Sequence, residues 1–205
     1  MGKKQPGKNT QIKQWVATEA ARIYASQSAK DLHKAKLKAA ERVGVHDKQL
    51  LPSNEEIELA IQEYQRLFSS SDALKQVRLI QNKAVTAMTF FERFKPRIVG
   101  ALAKGTADQY ATIYIHLFSD HAEEVDWLLM ENQIPHDTFN KTYYLNNQKD
   151  AVIIPAYGFV AEDTPVELSV FPEVSLRSQA RCSPKGRPIE RLSLNQFKQS
   201  ISQHD

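Results

Sequence analysis

The chain has 205 residues, of which 41% are hydrophobic and 25% are charged, a balance typical of globular proteins and sufficient for a buried core. No run approaches the roughly 18 consecutive apolar residues that a membrane-spanning helix needs, so we expect no membrane partner. The polar N-terminus and the single cysteine, Cys182, favour a reducing, cytoplasmic location.

The net charge of +3 is divided unequally along the chain. Residues 1–50 hold 11 Lys and Arg against 4 Asp and Glu, whereas residues 51–205 hold 16 against 20. Such an asymmetry points to an anionic partner for the first part of the chain, and nucleic acid is the usual one. A solvated helical surface is the alternative, because lysine also has a high helix propensity.

The first part of the chain predicts helices only. Residues 1–10 are polar, without an apolar partner, and predict a disordered tail. Residues 11–72 predict a basic helical domain, because apolar residues recur there at helical spacing. The predicted helices cover residues 11–26, the stretch from Ser28 to Val43, and the stretch from Ser53 to Phe68.

Polar residues and a glycine mark where these helices begin and end. Ser28 is a predicted N-cap, with Asp31 three positions later, and Gly44 is a predicted C-terminal stop. Ser53 followed by Glu56 is the signature of a capping box, in which each side chain accepts a hydrogen bond from the backbone N–H of the other residue. These signals define the second and third helices.

The second part of the chain, residues 73–205, predicts an α/β domain. It opens with a long helix over residues 73–95, which ends before Pro96. Residues 172–205 predict an irregular C-terminal segment with a short helix at 194–201. Residues 97–102 predict a strand that enters a turn, and runs rich in β-branched and aromatic residues predict strands over residues 111–118, 142–145, 151–160 and 166–171. The predicted fold class is α+β: an N-terminal all-helical region followed by a mixed β-sheet with flanking helices.

A turn bounded by two glycines follows the first predicted strand, with the sequence Gly100-Ala-Leu-Ala-Lys-Gly105. A second strand carries Thr112-Ile113-Tyr114, and a later strand carries Val166-Glu167-Leu168. This order of elements resembles the nucleotidyltransferase fold of the DNA polymerase beta superfamily, over roughly residues 74–171. In that family a Gly-Ser turn ends the first strand, the second strand carries Asp-x-Asp, and a later strand supplies a third carboxylate.

The resemblance implies a phosphate-binding or nucleotide-binding role for Gly100, Lys104, Gly105 and Thr106. Glycine lets a phosphate approach backbone N–H groups closely, and lysine is a competent partner for phosphate. Ala101 stands where the family has the serine that contacts phosphate. What the resemblance implies for this turn is therefore binding through glycines and a lysine.

The metal-binding part of the family pattern is degenerate in this chain. Nucleotidyl transfer uses two metal ions held by carboxylates, and residues i and i+2 of a strand present two such groups on one face. Thr112 and Tyr114 occupy these two positions and are not carboxylates, so Glu167 alone remains of the three acids. The resemblance therefore implies that standard two-metal catalysis is absent, and we predict no metal site.

His116 lies in phase with Thr112 and Tyr114 on the same predicted strand. Together with Glu167 it is a candidate catalytic residue of a remodelled site, as a ligand or general base. The alternative is a satisfied and partly buried histidine. We assign no cofactor from the sequence, and Mg²⁺ enters only if an active enzyme uses other acids, such as Asp108.

Basic residues of the second predicted helix are the strongest candidates for nucleic-acid contact: Lys30, Lys34, Lys36, Lys38 and Arg42. Contacts to phosphate are easier to support than base readout. The segment Ala35–Gly44 also resembles an A-K-x-K-A-A-x-R-x-G helix that precedes such a domain in an uncharacterised bacterial family labelled as nucleotidyltransferases. A second basic run, between Arg177 and Arg191, is interpreted either as an anion site or as a solvated segment.

From these observations we expect a catalytically degenerate nucleotidyltransferase-fold protein. It would bind nucleic acid or a nucleotide through its basic helical half and its glycine-containing loop. One alternative is an active nucleotidyltransferase with a non-standard acidic site. A second alternative is a module that binds another protein.

Overall fold

The structure is a computed structural model, and it describes residues 8–26, 31–68, 70–146, 150–184 and 186–202. The chain forms two compact units, Met1–Ala73 (unit 1) and Leu74–Asp205 (unit 2). Unit 1 is built from helices, and unit 2 combines a six-stranded mixed sheet with helices. The predicted α+β class is therefore confirmed, whereas the likeness to the nucleotidyltransferase fold stays a prediction.

Unit 1 is a packed group of helices: α1 (Lys8–Ala25), α2 (Leu32–Val43) and α3 (Asn54–Phe68). α1 packs against both α2 and α3. The side chains buried between them are small or β-branched, which lets the helices approach closely: Val16, Ala20, Ile23, Ala35, Ala39, Ile57 and Ile61. α1 begins inside the predicted tail 1–10, and residues 1–7 lie outside the described part of the chain.

The helix ends of unit 1 follow local sequence signals. Asp31 caps α2, since its side chain accepts a backbone N–H of the first turn at 2.8 Å, while Ser28 lies outside the described residues. Gly44 ends α2 in the left-handed conformation, with a φ of 75°, as predicted. The capping box of α3 is also confirmed. The Glu56 N–H donates to Ser53 Oγ at 3.1 Å, and the Ser53 N–H donates to Glu56 Oε2 at 2.6 Å.

Unit 2 holds the remaining elements. Its helices are α4 (Ser71–Phe90, which begins at the end of unit 1), α5 (Gly100–Ala103), α6 (Glu123–Glu131) and α7 (Leu194–Ser202). Its strands are β1 (Arg97–Val99), β2 (Ile113–Phe118), β3 (Asp137–Leu145), β4 (Val152–Ala161), β5 (Thr164–Phe171) and β6 (Ala180–Arg181). Within the described ranges of both units, no helix is long and apolar enough to cross a membrane.

Several element boundaries differ from the predicted ones, and the two largest differences have local reasons. α4 stops short of the predicted helix 73–95, because a 3-10 turn over Glu92–Phe94 and a left-handed Lys95 (φ 51°) follow it. β3 begins at Asp137, well before the predicted strand 142–145. Its first residues are exposed, so the alternation that marks a half-buried strand is missing there.

The strands form one sheet in the order β1-β2-β5-β4-β3-β6. β2 and β5 are parallel, and the other neighbouring strands are antiparallel. One face of this sheet packs against α4, α6 and α7 and forms the main core of unit 2. The side chains that β2 and β5 direct to that core are all aliphatic: Ile113, Ile115, Leu117, Val166, Leu168 and Val170.

The opposite face of the sheet is only partly covered. Residues 172–184 and 186–192, called the C-terminal segment below, lie over one half of it and pack on Phe118, Tyr143 and Phe171. This segment was predicted to be irregular, but it contains a 3-10 turn (Glu173–Arg177) and β6. Among the residues that the structure describes, the other half of this face keeps two partly exposed rings, Tyr114 and Phe139, and it carries the candidate site.

Candidate functional site

The open half of the sheet, called the open sheet face below, is defined by Tyr114, Phe139, Lys141, Gly158 and Glu167. Tyr114 on β2 lies opposite Glu167 on β5, which lies opposite Gly158 on β4. Residues opposite each other on neighbouring strands point to the same face. The sheet is curled, so Phe139 and Lys141 of β3 also reach this group. The structure therefore brings together two of the positions that the family pattern assigns to carboxylates.

The turn at Gly100 lies directly against Tyr114. A Cβ atom added at Gly100 would be 3.3 Å from Cδ2 of Tyr114. Gly100 also has a φ of 72°, a region that favours glycine. Thr112, the other degenerate metal position, precedes β2 and is half-buried. Of the two positions, Tyr114 is the one that faces Glu167.

The charged centre of the open sheet face is an ion pair between Lys141 and Glu167. Lys141 Nζ donates a hydrogen bond to Glu167 Oε1 and lies 5.3 Å from the centre of the Tyr114 ring, within cation–π distance. Burial disfavours the charged lysine, but the hydrogen bond to Glu167 and the charges of nearby groups outweigh it and raise the pKa of Lys141 above its ordinary value. A fixed ammonium thus contacts the remaining acid of the pattern.

Two exposed aromatic rings flank this ion pair. Phe139 lies over Gly158, where an added Cβ would be 3.2 Å from its Cε1 atom, so the glycine leaves space for the ring. Phe139 is 37% exposed and Tyr114 is 36% exposed. Aromatic rings beside positive charge are typical of surfaces that stack bases and contact phosphates.

The turn assigned to phosphate binding is closed by its own hydrogen bonds. The N–H groups of Lys104, Gly105 and Thr106 donate to the carbonyls of residues 100, 102 and 101, at 3.2, 3.3 and 3.0 Å. Thr106 is buried, and Gly105 has a φ of 63°. A phosphate bound by these N–H groups would have to displace the internal bonds. The role of this turn stays a prediction.

His116 lies under the C-terminal segment, although it is in phase with Tyr114. It is 2% exposed, and its Nδ1 accepts a hydrogen bond from Arg191 Nε at 3.0 Å. Burial, together with the charges of Arg191 and Lys141, holds the pKa of His116 well below its ordinary value. This is the environment of a satisfied, neutral, buried histidine.

Arg191 is enclosed rather than solvated, which corrects one of the two interpretations of the second basic run. Its guanidinium carbon lies 4.7 Å from the ring centre of Phe171 and 5.1 Å from that of Phe118. Its Nη1 donates to the carbonyls of Ser175 and Ser178 at 3.2 and 2.8 Å. Burial lowers the pKa of Arg191 to about 10. The side chain therefore fastens the C-terminal segment to the sheet.

Three basic residues of α2 form a row. Lys34, Lys38 and Arg42 follow at intervals of four residues, so they share one face of the helix. Lys36 lies off this row, and its Nζ donates to a side-chain oxygen of α3 at 2.8 Å. Lys30, the remaining candidate, lies outside the described residues.

Acidic side chains balance part of this row. Arg42 Nη1 lies 3.0 Å from Glu19 Oε1, and Lys34 Nζ lies 3.9 Å from Asp31 Oδ2. The Lys34 and Arg42 side chains are nevertheless 72% and 55% exposed. The Lys34–Asp31 pair is exposed on both sides and therefore weak, whereas Glu19 in the Arg42 pair is only 19% exposed.

Two other acids of unit 2 accept hydrogen bonds from backbone N–H groups. Asp108 Oδ1 accepts a hydrogen bond from the N–H of Tyr110 at 2.9 Å, and Asp120 Oδ1 accepts one from the N–H of Glu173 at 3.0 Å. Among the residues that the structure describes, no three His, Cys, Asp or Glu side chains are grouped closely enough to hold a metal ion.

Sequence reasoning missed Lys141, which is the closest charged partner of Glu167. The first residues of β3 are exposed and show no apolar alternation, so the position of Lys141 on the same strand face as Phe139 and Tyr143 left no recognisable signal. Comparisons with protein-family models, with curated proteins and with solved structures find no match to this chain, so the likeness to the nucleotidyltransferase fold rests on the sequence motif.

Proposed function

We propose that unit 2 binds a nucleotide or nucleic acid at the open sheet face, without metal-assisted nucleotidyl transfer. The observation that carries this proposal is the Lys141–Glu167 ion pair beside the Tyr114 ring. Where the family pattern has a cluster of carboxylates, this chain has an aromatic ring, one acid and an ammonium. Such a group attracts a phosphate without requiring a metal ion.

Lys141 supports phosphate binding because its charge is held in place before a ligand arrives. Its raised pKa keeps it protonated at neutral pH. An ammonium has three N–H donors, of which Glu167 accepts one, so two remain for phosphate oxygens. Positioning the side chain in advance reduces the entropy lost on binding.

Tyr114 and Phe139 support recognition of the base. Both rings are more than a third exposed on the same face of the sheet. Stacking of a base on an aromatic side chain contributes about 1–3 kcal/mol and tolerates any base. The proposal therefore gives the site a preference for nucleotides over inorganic phosphate, and little preference among the four bases.

The row on α2 supports nucleic acid as an additional ligand of unit 1. Lys34, Lys38 and Arg42 follow at intervals of four residues and so present positive charge in a row along one helix face. Contacts of this kind position a nucleic acid and carry no sequence information.

Calorimetric titration with ATP, in the presence of EDTA and then of Mg²⁺, tests the nucleotide site. We expect binding under both conditions. Lys141→Met should weaken it about 10-fold to 100-fold, since a charge-assisted hydrogen bond contributes about 1.5–3 kcal/mol. Lys198→Met, on the exposed face of α7, is the matched control and should bind as the wild type does.

Glu167→Gln separates this proposal from an active enzyme. Removing the carboxylate frees Lys141 and reduces repulsion of phosphate, so the affinity for ATP should rise by a few fold. A metal-dependent transferase would instead lose nucleotide binding in Glu167→Gln and in EDTA. Transfer of labelled nucleotide from a triphosphate to RNA, protein or a small acceptor would replace the binding proposal with the enzyme.

The salt dependence of binding to a single-stranded oligonucleotide tests the α2 row. The logarithm of the affinity should fall with the logarithm of salt concentration, because bound cations are released. Replacing Lys34 and Lys38 by Met should reduce the slope by about 1.4. An unchanged slope would show that the row makes no contact with the oligonucleotide.

A further inference from the structure

β3 is an edge strand over most of its length. On one side it pairs with β4 from Asp137 to Tyr143, in a continuous register without a bulge. On the other side β6 pairs only with Tyr144 and Leu145. Within the described ranges, no strand lies alongside residues 137–143 on that side. This edge also contains no proline, which is one common means of preventing further pairing.

The ladder with β6 shows which residues of β3 direct their backbone N–H and C=O groups away from β4. The N–H of Asn146 donates to the carbonyl of Gln179 at 2.7 Å, so residue 146 directs its backbone groups toward β6. In an antiparallel ladder every second residue bonds to the same neighbour. Thr138, Asn140 and Thr142 therefore direct their N–H and C=O groups outward, where a further strand could pair with them.

The charges on this edge are self-complementary. Asp137 and Lys141 lie symmetrically on either side of Phe139 and point to the same face of the sheet. An antiparallel second copy centred on Phe139 places Asp137 opposite the partner's Lys141 and Lys141 opposite the partner's Asp137. It also places Phe139 opposite the partner's Phe139. Opposite charges and aromatic pairs are the favourable cross-strand combinations.

We propose that β3 pairs with β3 of a second copy of this chain in this antiparallel register. The register satisfies the backbone, because Thr138 then exchanges hydrogen bonds with the partner's Asn140 and Asn140 with the partner's Thr138. Lys141 reaches the partner's Asp137 while keeping Glu167, since an ammonium has three donors. The pairing shares Phe139 and Lys141 with the open sheet face, but it requires no nucleotide and is measured without one.

Neighbouring registers fit less well. A shift by one residue would oppose backbone groups that do not match, because the outward groups belong to every second residue. A shift by two residues, centred on Asn140, places Lys141 opposite the partner's Phe139 and removes both ion pairs. It also extends pairing to Tyr143, directly beside the residues that β6 occupies. The register centred on Phe139 ends at Lys141 and avoids β6.

Cysteine cross-linking tests the register directly. In a Cys182→Ser background, Phe139→Cys should form a disulfide-linked dimer on mild oxidation. The two Cα atoms of a non-hydrogen-bonded antiparallel pair are about 4.5 Å apart, within the disulfide range. Asn140→Cys is the matched control and should not cross-link, because the partner's Thr138 lies opposite it. Cross-linking of Asn140→Cys with none of Phe139→Cys would overturn the register.

Charge exchange tests the partner without introducing a covalent bond. Sedimentation equilibrium of the full chain should show concentration-dependent dimers of the wild type. Asp137→Lys should weaken association about tenfold, because two like-charged pairs replace two ion pairs. The double variant Asp137→Lys with Lys141→Asp should restore it. Asp150→Lys, an exposed substitution with the same change in charge, should leave association unchanged.

Two outcomes of the sedimentation experiment contradict the proposal. A wild-type chain that stays monomeric up to hundreds of micromolar would overturn the dimer. If the dimers of Asp137→Lys and Asp150→Lys have equal dissociation constants, another surface makes the contact. Circular dichroism of each variant establishes that the fold is intact. A loss of association can then be attributed to the substitution at the β3 edge.

Discussion

Arg191 Nε donates a hydrogen bond to His116 Nδ1 at 3.0 Å, and this contact joins the C-terminal segment to the middle of β2. The bond requires an unprotonated Nδ1, so it fixes the histidine as the neutral tautomer that carries its proton on Nε2. The low pKa of His116 agrees with that assignment. A buried arginine held by carbonyls, aromatic rings and a neutral imidazole therefore fastens the segment without an acidic partner among these contacts.

Arg191→Met should destabilise unit 2 by about 2–4 kcal/mol, because it leaves two carbonyls and His116 Nδ1 without their donor. Trp127 fluorescence in a Trp15→Phe background reports the unfolding of unit 2 in urea. Arg191→Lys should recover only part of the loss, since lysine lacks the planar fork of donors. Exposed Arg177→Met is the control, with an expected change within about 0.5 kcal/mol. Equal stability of Arg191→Met and the wild type would contradict this role.

His136 should make the stability of unit 2 depend on pH. Its Nδ1 lies 2.9 Å from the carbonyl of Ile134, and its Nε2 lies 2.6 Å from Asp126 Oδ1. The contact with Ile134 is the main cause that raises the pKa of His136 above its ordinary value of 6.5; burial opposes it and the Asp126 contact reinforces it. The contribution is therefore complete below the unfolded pKa and is lost as the pH rises through the higher folded-state pKa.

The measurement compares unfolding free energies of the wild type and His136→Gln across this range. The wild type should be more stable by about 1 kcal/mol near pH 5.5, and the difference should decrease toward pH 9. His116 has a lowered pKa and therefore changes the unfolding free energy with pH in the opposite direction. It is present in both proteins, so its contribution cancels in the difference. His121→Gln, at an exposed position, is the matched substitution control. A difference that grows with rising pH would have the wrong sign for this ion pair.

Gly100→Ala should destabilise unit 2 by about 1–2 kcal/mol, because its φ of 72° strains an L-residue and its new Cβ would meet the Tyr114 ring at 3.3 Å. A double-mutant cycle with Tyr114→Ala separates these causes. The steric part should vanish in the Tyr114→Ala background, while the backbone strain should remain. Additive effects of the two substitutions would indicate that the ring moves aside at no cost.

Removal of the α3 capping box should destabilise unit 1. Ser53→Ala leaves the Glu56 N–H without its acceptor and should lower the unfolding free energy by about 1 kcal/mol. Glu56→Gln keeps an acceptor for the Ser53 N–H and is the conservative control. Trp15 fluorescence in a Trp127→Phe background confines the measurement to unit 1. If Glu56→Gln lowers the unfolding free energy as much as Ser53→Ala does, the two residues do not act as a reciprocal pair.

Local signals in the sequence were sufficient for most element ends. Ser53 with Glu56 and the glycine at position 44 act within one turn of the chain, so their geometry depends on few other residues. The apolar alternation of β2 and β5 is likewise a property of short segments. Both strands pack against helices on one face, which is why their aliphatic side chains were recognisable.

Long-range relationships were not predictable in the same way. Lys141 joins Glu167 only because the sheet curls across β4, and no property of residues 137–141 indicates that partner. Arg191 lies in a run of basic residues whose composition is typical of solvated segments, yet packing between Phe118 and Phe171 encloses it. In both cases the determining contact comes from a residue far away in the sequence.

The parallel pairing of β2 with β5 sets the order in which this protein can be assembled during synthesis. β3 and β4 leave the ribosome before β5, yet they reach β2 only through β5. An isolated two-stranded hairpin is marginally stable at best, so the nascent sheet has no continuous framework until Thr164–Phe171 has emerged. Unit 1 needs only helices that are close in sequence, so it can fold before β5 has been synthesised and the sheet is complete.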